Sequence, residues 1–151
     1  MMTKDDFDLQ LKELIRTKGM KFTEQRSIIL EILMMADGHL NADEIHMMIK
    51  QNYPNSNIGI ATVYRTLGFL EESNLISSIS FGVDGKKYEN NSKEHHDHLI
   101  CQECSKILEF VDDEIETRQR AIAAEHNFLI KSHSMQIFGI CEECQQNKGD
   151  K

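Results

Sequence analysis

Cysteine usage constrains this chain more than any other feature: all four cysteines fall in two C-x-x-C pairs, Cys101-Gln-Glu-Cys104 and Cys141-Glu-Glu-Cys144. Each pair can cover two corners of a tetrahedron, so four thiolates suit a closed, structural Zn²⁺ site. Two redox-active dithiols or two disulfides would use the same residues. A reducing compartment disfavours disulfides, and a redox pair more often stands alone at the start of a helix. The 36 residues between the pairs exceed zinc-ribbon spacing. A helix and a strand fit in that interval, so the metal would staple the ends of a small α/β unit.

Immediately before the first pair lies His95-His96-Asp97-His98. In an extended segment, alternation puts His96 and His98 on one face and His95 and Asp97 on the other. Two imidazoles spaced this way can chelate one ion, and a set of imidazole and carboxylate without thiolate suits Fe²⁺, Mn²⁺ or Zn²⁺. A solvated His-rich linker is the competing reading of the same tract. Glu89, Glu109 and His39 offer further N/O ligands, but spacing alone does not recruit them.

The first half reads as helices. Phe7, Leu11, Leu14 and Ile15 recur at helical spacing before Gly19, and Thr23 can cap a second helix with the stripe Ile29, Ile32, Leu33 and Ala36. Asn41 can cap a third through Ile45, Met48 and Ile49. A fourth runs from about Gly59 to Asn74 with Val63, Leu67 and Leu70 inward. The pattern then switches to strand over 75–81, a turn at Gly82-Val83-Asp84-Gly85, and strand over 86–90. Helices followed by a hairpin are the layout of a winged helix-turn-helix, with a polar hinge at 90–93. Beyond it, short strands are expected at 98–101 and 107–111, a helix at 112–126, an extended run over 128–140 and a polar tail from Gln145.

With its apolar seam inward, the fourth helix exposes Ala61, Thr62, Arg65 and Gly68, with Tyr64 at the flank. Arg can read guanine by two hydrogen bonds and a Tyr ring can pack on a thymine methyl. An ordinary amphipathic helix would carry the same face. The net charge of −8 is no guide, because phosphate contacts need a local basic surface, and Arg16, Lys18, Lys21 and Arg26 supply one opposed only by Glu24. No apolar run is long enough to span a membrane and the N-terminus lacks a signal-peptide layout, so the cytoplasm is the expected compartment.

Three segments occur in the order and spacing of one family's signatures: Gly19-Met-Lys-Phe-Thr-Glu-Gln-Arg26, Gly59-Ile-Ala-Thr-Val-Tyr-Arg65 and His95-His-Asp-His-Leu-Ile-Cys-Gln-Glu-Cys104. Over nearly its whole length the chain resembles the ferric uptake regulator family. The resemblance implies an α+β protein, with a winged-helix DNA-binding domain over 1–90, a hinge at about 90–95, and a small α/β dimerisation and metal-binding domain over 96–151. It implies structural Zn²⁺ on Cys101, Cys104, Cys141 and Cys144, and a regulatory ion, Fe²⁺ with Mn²⁺ or Zn²⁺ as substitutes, on His39, Glu89, His96, His98 and Glu109. A further metal site would use His95, Asp97, Glu116 and His133. Among DNA contacts, Lys21 matches a minor-groove residue, and Tyr64 and Arg65, beside Thr62, match base-reading positions. Related peroxide sensors commonly carry Asp at the two carboxylate positions, so Glu89 and Glu109 point to the iron regulator.

The implied function is a metal-dependent repressor that binds palindromic AT-rich operators as a homodimer or tetramer and controls iron-uptake genes. It would have no enzymatic activity, no small-molecule substrate and no membrane partner. A peroxide-, zinc- or manganese-responsive relative, a zinc enzyme and a metal buffer are the alternatives. The H-x-E and H-E-x-x-H signatures of zinc enzymes are absent.

Overall fold

Local signals set the element boundaries. In the computed structural model, Thr23 caps α2 (Glu24–Met35), its side chain accepting from the Arg26 N–H. Asn41 heads α3 (Ala42–Asn52) through a capping box in which Asn41 and Glu44 satisfy each other's backbone N–H. These follow α1 (Lys4–Thr17) and the two-residue strand β1 (Leu40–Asn41). Helix α4 (Ile60–Glu72) leads into β2 (Ile76–Ser80) and β3 (Lys86–Asn90). The structure describes residues 3–149 except 18, 20, 22, 82–84, 92 and 93, and leaves the side chains of Lys4, Phe7 and Leu14 undescribed. The expected basic contribution of Lys18, the core roles of Phe7 and Leu14, the turn at 82–84 and hinge residues Ser92 and Lys93 therefore lie outside the described residues.

The chain divides into two compact units, Met1–Lys93 and Glu94–Lys151. In the first, Leu11, Ile15, Ile29, Leu33, Ile45, Ile49, Val63, Leu67 and Leu70 close into one core, each 2% exposed or less. Burying each large aliphatic side chain contributes roughly 1.5–3 kcal/mol. Ala36, expected in the α2 stripe, is instead its half-buried C-cap with extended backbone. A three-stranded antiparallel sheet in the order β1-β3-β2 completes a winged helix. Strand β1 is too short to have shown a period-two pattern.

The second unit holds β4 (Asp97–Cys101), β5 (Ile107–Phe110), α5 (Asp113–Glu125), β6 (Gln136–Gly139) and α6 (Glu142–Gly149). The sheet order is β5-β4-β6, antiparallel to β5 and parallel to β6. Asp112 caps α5 by accepting from the N–H groups of Glu114 and Ile115.

Two expectations are corrected here. The extended run over 128–140 shrinks to four strand residues, because β4 offers β6 only the partners His98 to Cys101. The polar tail from Gln145 is helical: α6 begins within the second cysteine pair and buries none of its residues.

Both α4 and α5 end on an asparagine with positive φ, Asn74 at 59° and Asn127 at 51°. The amide of the following residue then reaches back to Leu70 O in one case and Ala123 O in the other, at 3.0 and 2.8 Å. This closure satisfies terminal carbonyls, and Asn tolerates the left-handed conformation it needs. In α4 it sets the direction in which the chain enters the wing.

Candidate metal centres and nucleic-acid interface

The parallel β4–β6 register pairs Cys101 with Gly139, so both C-x-x-C segments emerge from the same end of the sheet. The Gln102 N–H donating to Gly139 O at 2.8 Å locks them side by side. Across the pairs, Cys101 Sγ lies 3.9 Å from Cys144 Sγ and Cys104 Sγ 3.6 Å from Cys141 Sγ. A Zn²⁺ ion with four Zn–S bonds of about 2.3 Å demands tetrahedral S···S edges of about 3.8 Å. The residues fit that ion.

The electrostatics agree. The N–H groups of Cys104 and Cys141 hold the Cys101 thiol down to about 6, the latter donating to Sγ at 3.3 Å. Hydrogen bonding with the Cys141 sulfur, together with desolvation, raises Cys144 instead. Four neighbouring sulfurs cannot all carry charge without a cation between them. Lys106 pairs with Glu143 at 2.8 Å, and Lys148 pairs with Glu103, so each ion pair joins the two cysteine segments.

The imidazoles and carboxylates are positioned by strand register. In the first unit, β1–β3 pairing of Leu40 with Tyr88 sets His39 opposite Glu89, and His39 Nε2 lies 3.1 Å from Glu89 Oε2. Both side chains are buried. In the second unit, His98 and Glu109 are register partners on β4 and β5. His96 Nε2 lies 3.5 Å from Glu109 Oε1, and the His96 and His98 rings are 4.8 Å apart.

A third group belongs wholly to the second unit. His95, Glu116 and His133 offer ligand atoms within 4.8 Å of one another. The His95 and His133 ring centroids are 4.1 Å apart. Asp97 Oδ1 accepts from the Met135 N–H at 3.1 Å and lies 3.4 Å from His95 Nε2 and 4.0 Å from His133 Nε2. Asp97 is 1% exposed. A carboxylate so buried needs a compensating cation or donors.

On α4, Ala61, Tyr64, Arg65 and Gly68 are exposed and Thr62 is half-buried, its Oγ1 accepting from Arg65 Nη2 at 3.1 Å. Lys21 is exposed on the loop before α2. Lys86, at the start of β3, forms a 3.2 Å ion pair with Glu71 of α4. Two further side chains support this surface: His46, which no motif marks, and Arg26, which the sequence places only in the basic cluster. His46 Nε2 lies 3.1 Å from Ile58 O, just ahead of α4, and Arg26 reaches the Lys21 carbonyl. Spacing cannot reveal such side chain-to-backbone bonds.

A winged helix with an exposed Tyr-Arg face, followed by a thiolate knuckle and clustered imidazoles, defines a metal-binding protein of the winged-helix class. The ferric uptake regulator family model matches residues 17–138, and the chain belongs to that family. The chain is 48% identical to the ferric uptake regulation protein of Campylobacter jejuni, over 92% of this chain and 88% of that one. The structure of the Helicobacter pylori ferric uptake regulator, described as having three functional metal binding sites, superposes with a TM-score of 0.82. It is 39% identical, with 95% and 94% of the two chains covered. An iron-containing regulator structure from Francisella tularensis is 34% identical over 84% and 96% of the chains, with a TM-score of 0.70.

Proposed function

We propose that this protein is an iron-responsive transcriptional regulator that binds palindromic AT-rich operators as a homodimer and represses iron-uptake genes, without enzymatic activity. The observation that carries the reading is the pair of imidazole–carboxylate groupings set by strand register. His39–Glu89 sits at the root of the wing, and His98 and Glu109 on the β4–β5 hairpin are joined by His96 just ahead of β4. The resemblance assigns all five to one regulatory ion. Such an ion would couple metal supply to placement of the reading helix, and it shifts DNA affinity only by binding the competent arrangement better.

Cys101, Cys104, Cys141 and Cys144 hold structural Zn²⁺ in this reading. Asp97, His95, Glu116 and His133 hold a further ion, in keeping with the three sites described for the Helicobacter pylori regulator. Lys21, Thr62, Tyr64 and Arg65 contact DNA. Pairing of two copies is supported by Leu108, Leu99 and Ile137, which form one exposed apolar row across β5, β4 and β6. Among the described residues no helix is long and apolar enough to cross a membrane.

Zn²⁺ binds most N/O sites more tightly than Fe²⁺, so availability decides which ion acts. Anaerobic titration of a palindromic AT-rich duplex with Fe²⁺, Mn²⁺ and Zn²⁺ tests the proposal. Fe²⁺ should produce saturable, sequence-specific binding at micromolar free metal or below. Metal uptake without any DNA binding would instead identify a buffer.

A further inference from the structure

The guanidinium of Arg26 bridges two parts of the first unit that the proposed function assigns to DNA contact. Its Nη1 donates to the Lys21 carbonyl at 2.8 Å, and its Cζ lies over the Phe69 ring, 4.2 Å from the centroid. Phe69 belongs to α4, the helix that presents Tyr64 and Arg65. The root of Arg26 is itself fixed, because its backbone N–H donates to the capping oxygen of Thr23 at 3.3 Å.

We infer that Arg26 is a positioning residue that sets Lys21 relative to the reading helix α4, so that arm and helix engage one duplex together. The carbonyl it holds is adjacent to the Lys21 Cα, so the hydrogen bond fixes where that side chain starts. The stack on Phe69 refers this origin to α4 rather than to the loop's own backbone. Only arginine combines a planar face for the ring with a lateral N–H for the carbonyl. Lysine keeps the charge but loses the stack, and glutamine keeps a donor but loses both charge and stack. The inference rests on Lys21 and α4 being the DNA contacts proposed above.

The test is a double-mutant cycle on the full-length, zinc-containing protein. Affinity for a palindromic AT-rich duplex is measured by fluorescence anisotropy with Mn²⁺ as the activating ion. Lys21→Ala and Arg26→Gln should each weaken binding roughly tenfold, and the double variant should be no weaker than about tenfold, since coupled residues are not additive. Arg26→Lys should behave like Arg26→Gln.

If the two losses multiply in the double variant, or if Arg26→Lys binds like the parent, Arg26 touches phosphate directly and the inference is overturned. If Lys21→Ala alone has no effect, the Lys21 assignment fails first, and the inference with it. Should Arg26→Gln melt early, Phe69→Leu removes the stack from the α4 side. It should lower affinity in the parent and leave the Lys21→Ala background unchanged; an equal loss in both backgrounds would refute the inference.

Discussion

Cys101 and Cys144 carry opposite shifts because they receive different partners. Backbone N–H groups stabilise the Cys101 thiolate, whereas Cys144 faces another sulfur. A cation relieves that conflict, so Cys141→Ser should release zinc and cost several kcal/mol of stability, since metal binding free energy is folding free energy in small metal sites. Bound zinc and the thermal midpoint, measured on the same sample, check this. Acidification should act in the same direction. A thiol held at about 6 contributes stability above its unfolded value, and that contribution is lost as pH falls through 6. Zinc retention followed by a colorimetric chelator should therefore decline toward acid and never toward base. That the four cysteines could share one ion was legible from spacing alone. Their pairing across the segments was not, because it follows from the β4–β6 register.

Helices are legible in the sequence where one periodicity rules and illegible where none does. Helix α4 was readable because Val63, Leu67 and Leu70 recur on one face and leave Tyr64 and Arg65 outside. Helix α6 was not, since no face of Glu142–Gly149 is buried. Local bonds hold it instead: the Gln145 N–H donates to Cys141 O at 3.0 Å and its side chain reaches Ile140 O at 2.8 Å. Phe128 and Leu129 misled in the other direction. They are apolar and strand-like in type, yet 69% and 74% exposed with no ladder partner. Leu67→Ala should cost about 2–5 kcal/mol by urea unfolding, because Leu67 is fully buried in the first unit's core. Arg65→Ala should leave that midpoint unchanged while lowering operator affinity, with a loss of roughly 1–3 kcal/mol concentrated on sites that carry its base pair. A loss spread evenly over all sequences would make Arg65 a phosphate contact.

At the scale of the whole molecule, the two units differ in how they are held. The first closes around a single aliphatic core, whereas the second exposes Leu99, Leu108, Val111, Ile122, Ile137 and Phe138. In the proposed dimer a second copy would cover that apolar surface. Leu99→Asp, placed in the middle of the exposed row, should convert the dimer to monomer by analytical ultracentrifugation and abolish binding to a palindrome. Two-unit organisation could be anticipated from the change of pattern after Asn90. The juxtaposition of His39 and Glu89 could not be taken from spacing, because 50 positions separate them in sequence and only β1–β3 pairing sets them opposite each other.

The central claim is that a regulatory ion on the imidazole–carboxylate ligands controls DNA binding, apart from the zinc that maintains the fold. The most direct measurement compares the parent with His96→Ala/His98→Ala in an anaerobic Fe²⁺ titration of operator binding, with zinc content and sedimentation recorded in parallel. The account predicts that the double variant keeps its zinc and its dimer but loses Fe²⁺-dependent binding. Undiminished Fe²⁺ dependence in a folded, zinc-containing variant would contradict it.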